Sequence, residues 1–286
     1  MTRLAVLADI HGNPFALDAV ISDLEDQEVD EVIVAGDLVG RGPRGSEVIR
    51  RIRDRGWACV RGNHEDYLLS FFHGEIPDAW RVDEEWAASR FMAADLTADD
   101  ATFLDSLPFT LSPDADPSIE IFHGSPTSHS EGIGAWTPED LLHTHLDSIE
   151  GDTLVCAHTH RPLLYTNDTG TIVNVGSVGL PFNGDWRAQY ALFTGDPDHW
   201  EITFRQVSYD RDAFLRLYET SGFLAEGGVT ARLLYQEVRH ARPALVPFLK
   251  WTKHTGTAPT SDALPAFFEV FDPQRSLADF MRLLRE

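Results

Sequence analysis

Seven side chains of the types that bind divalent metals follow directly after apolar, strand-like runs of this sequence. They are Asp9, His11, Asp37, Asn63, His123, His158 and His160. Because ligands bind outside the carboxyl ends of the strands in open α/β sheets, we expect these groups to meet at one edge. Mixed oxygen and nitrogen ligands favour Mn²⁺, Fe²⁺ or Zn²⁺ over Ca²⁺ or Mg²⁺. A carboxylate that bridges two such ions holds them about 3.5–4 Å apart, as two-metal hydrolysis requires.

The elements that must position these side chains alternate between buried strands and amphipathic helices. Short apolar runs predict strands at residues 4–8, 32–35 and 57–60. Between the first two, Asn13 is a good helix cap and Pro14 suits the first helical position. Between the second and third, residues 46–55 have helical spacing that stops at Gly56. This alternation predicts a largely parallel, doubly covered sheet.

Two stretches of the chain have mainly helical spacing. Residues 66–115 form the first, with the clearest helices at 86–96 and 99–107. The second begins at Tyr209, where apolar residues again recur at helical intervals. Several prolines interrupt it, so we expect its helices to be short.

Five more strands are predicted between these helical stretches. They are residues 119–122, 153–157, 171–175, 189–194 and 200–207. The last three follow one another without helices between them. This arrangement predicts a second, more antiparallel sheet that is built as a meander.

Composition and charge exclude several classes of protein. The chain has 286 residues, of which 43% are hydrophobic and 24% charged, as in ordinary globular proteins. Its apolar runs are too short for a membrane helix, and its N-terminus lacks the pattern of a signal peptide. Two isolated cysteines, Cys59 and Cys156, indicate buried thiols in a reducing compartment, so a cytoplasmic location is predicted. The net charge of −23 disfavours nucleic acids and anionic membranes as partners.

Five short blocks contain the candidate ligands. They are Asp9-Ile10-His11, Gly36-Asp37, Gly62-Asn63-His64-Glu65, His123-Gly124 and His158-Thr159-His160. In order and spacing they resemble the calcineurin-like metallophosphoesterase superfamily, and in particular its small bacterial members, over roughly residues 3–207. The resemblance implies a four-layer α-β-β-α sandwich of two mixed sheets. It also implies a metallophosphoesterase domain at 1–208 with a helical insertion at 66–115, and a helical C-terminal extension at 209–286 packed on it.

The resemblance further implies a role for each ligand. Asp9, His11 and His160 would bind the first metal. Asn63, His123 and His158 would bind the second, and Asp37 would bridge both. The two divalent cations would activate a hydroxide that attacks phosphorus. Manganese is favoured, with iron, zinc, nickel and cobalt as alternatives.

Three more residues are candidates for contact with the substrate. His64 would lie beside the phosphate and protonate the leaving group or stabilise its charge. Arg41 matches the position of the phosphate-contacting arginine in the Ser/Thr protein phosphatases of the superfamily, and its planar fork suits phosphate. Asn13 lies near His11 and is a further candidate for substrate binding, although helix capping is its alternative role. Those phosphatases also place an aspartate that orients the catalytic histidine where this chain has Gly40, which leaves open what orients His64.

These observations predict an enzyme that hydrolyses phosphodiesters or phosphomonoesters. The predicted substrate is a small phosphate ester, with nucleotides among the candidates. A Ser/Thr-type protein phosphatase and a diadenosine polyphosphate hydrolase are the alternatives within the enzymes. A non-catalytic scaffold ranks lower, because the complete ligand set and the acid histidine are present. A nuclease also ranks lower, because the chain is acidic and lacks basic stretches interleaved with aromatic residues. The sequence leaves open whether the chain forms a homo-oligomer.

Overall fold

The structure, a computed structural model, describes residues 1–197, 199–274, 280 and 282. Within these residues, strands form two five-stranded mixed sheets. In chain order the strands are β1 Thr2–Leu7, β2 Glu31–Val34, β3 Ala58–Cys59, β4 Thr110–Leu111, β5 Ile119–Phe122, β6 Thr153–Cys156, β7 Leu163–Thr166, β8 Thr171–Asn174, β9 Ala188–Asp196 and β10 His199–Val207. The first sheet has the order β10-β9-β1-β2-β3, and the second has the order β4-β5-β6-β8-β7.

Twelve α-helices accompany these strands in the described part of the chain. They are α1 Pro14–Asp26, α2 Gly45–Arg55, α3 Asn63–His73, α4 Asp78–Val82, α5 Ala87–Ala94, α6 Ala98–Asp105, α7 Glu139–Leu146, α8 Arg211–Thr220, α9 Phe223–Glu226, α10 Gly228–His240, α11 Leu245–Thr255 and α12 Leu264–Val270. None of these helices is long and apolar enough to span a membrane. The helices predicted at 86–96 and 99–107 correspond to α5 and α6, and those after Tyr209 are short, as predicted.

The two sheets pack face to face, and helices cover their outer faces. The apolar core between the sheets takes side chains from both: Leu4, Val6, Ile33, Phe193, Ile121, Val155 and Val173. A larger core lies between the first sheet and a helical layer that includes α1, α2, α3 and α5. A smaller core lies between the second sheet and α7. The predicted α-β-β-α sandwich of two mixed sheets is therefore confirmed.

Local sequence signals explain the helices on either side of β2. Asn13 Oδ1 accepts a hydrogen bond from Ala16 N at 3.1 Å, and Pro14 is the first residue of α1. At the other end of this unit, α2 ends at Gly56, whose φ of 64° is readily adopted by glycine. Because β1, β2 and β3 are parallel neighbours, their carboxyl ends lie at the same edge of the sheet.

The prediction for residues 171–207 is wrong in its strand partners. β8 lies in the second sheet, parallel to β6, whereas β9 pairs with β1 and β10 pairs with β9, both antiparallel. The first sheet is therefore mixed, and one of its faces packs on the second sheet. Most of β9 is buried on both faces, as in an internal strand, while burial alternates along β10. Apolar alternation identifies a strand, but its partner depends on packing between distant segments.

The helices after Tyr209 pack on the helical layer of the first sheet. Phe214 in α8 and Leu234 in α10 belong to the same apolar core as Leu17 in α1 and Met92 in α5. Beyond them, α11 and α12 build a separate core that is rich in aromatic rings, with Phe248, Trp251, Phe267 and Phe271. This packing puts α10 and α11 next to the loops that follow β2 and β3, where candidate site residues lie. Cys59 and Cys156 are both free and buried, as predicted.

Candidate metal centre

The loops after five strands bring all seven predicted ligand residues to one end of the sandwich. These residues follow β1 (Asp9, His11), β2 (Asp37), β3 (Asn63), β5 (His123) and β6 (His158, His160). His158 is half-buried and the other six side chains are buried. The carboxylate and imidazole atoms form three overlapping sets, and the atoms within each set lie within 4.8 Å of one another. Together the sets include five of the seven residues and His64.

Unusual backbone conformations are concentrated at this end of the molecule. Among the described residues other than glycine, eight have positive φ, and six of them belong to the candidate site. These six have φ between 51° and 62°: Asp9, His11, Asp37, Arg41, His158 and His160. Such conformations are uncommon, cost of order 1–3 kcal/mol each and persist where the surroundings hold them. The loops therefore hold these side chains in directions that an extended strand would not give.

Asp9, His11 and His160 form the first half of the cluster. His11 Nδ1 lies 3.1 Å from Val39 O, and His160 Nδ1 faces Leu180 O. Because a carbonyl only accepts, both Nδ1 atoms are donors, and a neutral ring then has its lone pair on Nε2. These two Nε2 atoms lie 3.1 Å apart and face the buried Oδ1 of Asp9, which has no hydrogen-bond partner. With neutral rings, three electron-pair donors converge at this point.

Asn63, His123 and His158 form the second half. His123 Nδ1 lies 2.8 Å from Ala35 O, which directs its Nε2 to Asn63 Oδ1 at 3.1 Å. The same amide oxygen is 2.9 Å from His158 Nδ1. Asp37 lies between the halves, since its Oδ2 is 3.6 Å from His11 Nε2 and 3.3 Å from His123 Nε2.

This donor set fits divalent cations. Carboxylate, amide and imidazole donors together suit Mn²⁺, Fe²⁺ or Zn²⁺. Each of His11, His123 and His160 directs its Nδ1 to a backbone carbonyl, the outer contact that commonly orients metal-binding histidines. The orphaned Oδ1 of Asp9 would be costly without a positive partner, because burial removes its water. Asp37 has the position required of a shared ligand.

Both carboxylates of the cluster are held ionised. Burial opposes the charge on Asp9, but the electrostatic attraction of the nearby His160 ring and the close approach of His11 lower its pKa. Burial opposes the charge on Asp37 as well, yet the attraction of His123 and His64 brings its pKa well below the usual value. The acids are thus in the form that binds a cation.

The histidines of the cluster differ in their protonation. Burial lowers the pKa of His11, and burial with repulsion from His123 lowers the pKa of His158 to about 4. Both rings are therefore neutral, as a metal ligand must be. Burial also disfavours charge on His123, but the attraction of Asp37 outweighs it and raises the pKa of His123 to about 10. A proton on His123 there supplies the positive charge that Asp37 requires.

His64 lies beside the cluster and is held by Arg41. Its ring meets the His11 ring edge-on at 4.9 Å between centroids, and its backbone N donates to Asp37 Oδ1 at 2.9 Å. Arg41 Nε donates to His64 Nε2 at 3.2 Å. Burial lowers the pKa of His64, with Arg41 acting in the same direction against Asp37, so the ring is neutral in this arrangement.

Gly40 has no side chain with which to orient His64, and it lies close to the His64 ring. It has a φ of 80°, and a Cβ atom there would collide with the His64 ring. The contact to His64 that the sequence left open therefore comes from the next residue, Arg41.

Glu65 organises the loop after β2, a role that sequence reasoning missed. Its buried carboxylate accepts from the backbone N of Asp37, Leu38 and Val39 and from Gly62 N. Burial and the nearby Asp37 raise the pKa of Glu65 to about 7, against the effect of these hydrogen bonds. Its position in the Gly62-Asn63-His64-Glu65 block was the available signal.

Glu237 in α10 is a second residue that sequence reasoning missed. Its carboxylate is fully buried, and Oε2 accepts from Arg41 Nη1 at 2.9 Å. Oε1 accepts from Ala244 N at 2.8 Å and Leu245 N at 2.9 Å, at the beginning of α11. A chain of contacts thus joins His64 to the C-terminal helices. No sequence pattern could pair residues 196 positions apart.

The Asn13 side chain is engaged in contacts within the protein. Its Oδ1 caps α1 and its Nδ2 donates to Gly179 O at 3.1 Å. The side chain is fully buried, and both of its polar atoms bind within the protein. These contacts correspond to the capping role, the alternative that the sequence left for this residue.

Comparison with known proteins agrees with this geometry. The family model described as calcineurin-like phosphoesterase matches residues 2–162. An uncharacterised protein of Methanocaldococcus jannaschii is 28% identical over 234 residues, which are 73% of this chain and 88% of that protein. The crystal structure of a metallophosphoesterase from Sphaerobacter thermophilus superposes with a TM-score of 0.67 at 26% identity, covering 84% of this chain and 99% of the other.

A further similarity is confined to a short segment. A symmetrical bis(5'-nucleosyl)-tetraphosphatase from Erwinia tasmaniensis is 38% identical over 73 residues. These residues are 24% of this chain and 26% of that protein. The match is thus local and leaves most of both proteins outside it.

Proposed function

Since this chain belongs to the calcineurin-like phosphoesterase family and is a metallophosphoesterase, we propose that it hydrolyses phosphomonoesters or phosphodiesters with two divalent cations bound at the cluster described above. We propose manganese as the favoured metal, with iron, zinc, nickel and cobalt as alternatives. The observation that carries this proposal is the convergence of Asp9 Oδ1 with the Nε2 atoms of His11 and His160. In a buried site, such a set of electron-pair donors requires a cation.

The proposed ligand sets follow from the two halves of the cluster. Asp9, His11 and His160 would hold one cation. Asn63, His123 and His158 would hold the other, and Asp37 would contribute to both. When bound, such cations lower the pKa of water and neutralise the charge on phosphate oxygens. Glu65 positions the loop that presents Asp37, through four backbone hydrogen bonds.

Arg41 and His64 act on the phosphate from the side away from the ligands. The Arg41 guanidinium uses Nε for His64 and Nη1 for Glu237, which leaves its remaining donors for a phosphate oxygen. His64 is neutral in this arrangement, with Nε2 accepting from Arg41 Nε. The negative charge of an approaching phosphate favours transfer of a proton from solvent to Nε2, which releases the hydrogen bond from Arg41. His64 then gives that proton to the departing oxygen, a step that typically contributes 10²–10⁴-fold in rate.

A symmetrical dinucleoside tetraphosphatase is the second candidate function. The local similarity to the Erwinia enzyme favours it, and the Gly36-Asp37 and Gly62-Asn63-His64-Glu65 blocks agree with it. A protein phosphatase is a third candidate, and Gly40 argues against a close analogy with that class. A non-catalytic scaffold ranks last, because ligand residues and His64 are all present.

The test combines metal analysis with a substrate panel. Purified protein is loaded with Mn²⁺ and offered bis-p-nitrophenyl phosphate, p-nitrophenyl phosphate, a diadenosine polyphosphate and a phosphopeptide. Hydrolysis of either nitrophenyl ester supports the proposal, whereas activity on the phosphopeptide alone would replace it with protein dephosphorylation. Asp37→Asn should abolish turnover and weaken metal binding.

A pair of histidine variants separates the roles of metal binding and proton transfer. His64→Ala should retain the metals and lose about 10²–10⁴-fold in rate. The matched control is His73→Ala, which removes an exposed histidine that pairs with Asp105 on the surface. Wild-type turnover by both Asp37→Asn and His64→Ala would show that the proposed mechanism is wrong.

A further inference from the structure

A cavity of about 260 Å³ opens beside His64, where α3, α5, α10 and α11 meet. Asn63, His64 and Arg41 form the wall nearest the ligand cluster. Much of the remaining wall is apolar and comes from the helices outside the two sheets: Leu68, Met92, Leu234, Leu245, Val246 and Leu249. The cavity therefore joins the candidate reaction centre to the segments at 66–115 and beyond 209.

The apolar wall runs from the protein core to the solvent. Leu234 is 1% exposed, whereas Leu249 is 37% exposed and Tyr67, at the same cavity, is 41% exposed. Trp86 also contributes, and its ring stacks on Trp80 with 3.8 Å between centroids, which stiffens that side. Removing this surface from water would be favourable by about 25 cal/mol per Å². The wall thus provides binding energy for an apolar group next to His64.

The charges around the cavity restrict what enters it. Arg41 is the one basic side chain among its lining residues, and it is already paired with Glu237. Glu85 adds a carboxylate to the lining. A second phosphate group of the substrate would therefore lie near the carboxylate of Glu85 and would have no unpaired basic side chain to bind. The six aliphatic and methionine side chains of the remaining wall offer no hydrogen bonds to the backbone of a phosphopeptide, so an uncharged group with an apolar portion fits best.

The geometry of the displacement at phosphorus suggests a role for this cavity. In an in-line displacement the leaving oxygen departs on the side opposite the attacking oxygen. The proposed function would place the attacking water at the ligand cluster, and Asn63, His64 and Arg41 form the wall of the cavity that faces this cluster. We propose that the cavity binds the leaving group, and that this group is an uncharged alcohol with a compact apolar portion. This inference rests on the proposed function and narrows its substrate class.

The size of the cavity limits the group to a short alkyl chain or one ring. Its volume is below the range of about 300–1,000 Å³ that is usual for drug-sized ligands. A series of alkyl phosphates tests this, because ethyl, butyl, hexyl and 3-phenylpropyl phosphate release alcohols of similar acidity. Release of inorganic phosphate by the Mn²⁺-loaded protein gives kcat/KM for each. We expect kcat/KM to rise about three- to fourfold per methylene until the cavity is filled.

A filled-cavity variant identifies the site of this preference. Leu249→Trp places a larger side chain in the wall at a position exposed enough to accept it. It should bring the ratio of hexyl to ethyl phosphate kcat/KM close to one. The control is Leu164→Trp on β7, where a leucine that is 49% exposed lies outside the cavity, and it should keep the wild-type ratio.

The outcomes separate this inference from the function on which it rests. Equal kcat/KM values across the series would overturn the leaving-group cavity and leave phosphoester hydrolysis intact. The same conclusion follows if Leu249→Trp keeps the full preference for hexyl phosphate. If no ester is hydrolysed with any of the candidate metals, the proposed function and the cavity both fail.

Discussion

Replacing Glu237 with glutamine removes one negative charge from a fully buried side chain while preserving its shape. The amide oxygen can still accept from Ala244 N and Leu245 N at the start of α11. The other half of the side chain, however, would present an N–H₂ group to Arg41 Nη1 in place of an acceptor at 2.9 Å. The change therefore isolates the contact with Arg41 from the capping of α11.

The geometry allows two effects of Glu237→Gln to be estimated, the loss of stability and the loss of kcat/KM. Breaking a buried ion pair by removing one partner typically costs about 3–5 kcal/mol. Arg41 is 16% exposed, so water can replace part of the lost contact and the lower end, about 3 kcal/mol, applies. At roughly 2–4 °C per kcal/mol, the melting temperature should fall by about 6–12 °C. If Arg41 loses a charge-assisted contact to phosphate worth about 1.5–3 kcal/mol, kcat/KM should fall about 10- to 150-fold.

The assay measures thermal unfolding and kcat/KM for four proteins: wild type, Glu237→Gln, Arg41→Ala and the double variant. Because Glu237 acts on the substrate through Arg41, its replacement should cost no further activity once Arg41 is alanine. The surface control is Asp18→Asn, which removes the partner of Arg51 at 2.7 and 3.0 Å. That pair is largely exposed and should change stability by no more than about 1 kcal/mol.

Either of two results would refute this reasoning. If Glu237→Gln lowered kcat/KM equally with and without Arg41, its effect would not pass through the guanidinium. If it left both the melting temperature and kcat/KM at wild-type values, the buried pair would contribute nothing. A loss of stability with unchanged kcat/KM would make Glu237 a purely structural residue.

Three further perturbations test other parts of the molecule. Glu65→Gln keeps one acceptor oxygen but loses bonds to the loop after β2, so we expect at least a tenfold loss of kcat/KM with the fold retained by circular dichroism. Gly40→Ala puts a Cβ against the His64 ring at a φ of 80°, so activity should fall more than metal content, which elemental analysis measures. Asp23 binds Tyr190 and Arg205, and although burial opposes its charge, the hydrogen bond from Arg205 lowers its pKa below 3.8. Its stabilisation is therefore full above about pH 4 and lost as the pH falls through the lower folded value. Asp23→Asn should flatten the acid side of the pH–stability curve in urea unfolding, and an unchanged curve would contradict this assignment.

The convergence of the ligand residues was predictable because it depends on local patterns and one topological rule. Each predicted strand ended at a polar residue, and the carboxyl ends of parallel strands meet at one edge. This rule alone predicts that Asp9 and Asp37 lie close together, since β1 and β2 are parallel neighbours. To predict that His123 and His158, from the second sheet, join them, one must also know how the two sheets align. The family resemblance supplied that expectation.

The remaining features depend on contacts between distant parts of the chain. The partner of β9 is β1, almost the full length of the domain away, and no alternation of apolar residues encodes that choice. The bond from Arg41 to Glu237 arises only because α10 packs beside the loop after β2. The left-handed backbone at Asp9 and His11 is likewise imposed by the surrounding loops, since neither residue type demands it.

The charges of the site imply that metal and substrate binding depend on each other. Without cations, the ionised Asp9 and Asp37 face one positively charged histidine, His123, while Arg41 is already paired with Glu237. A phosphate ester would then approach a site dominated by negative charge, in a chain whose net charge is −23. Bound cations reverse the sign of that field, so they should raise the affinity for phosphate. By linkage, bound phosphate must raise the affinity of the site for the cations by the same factor.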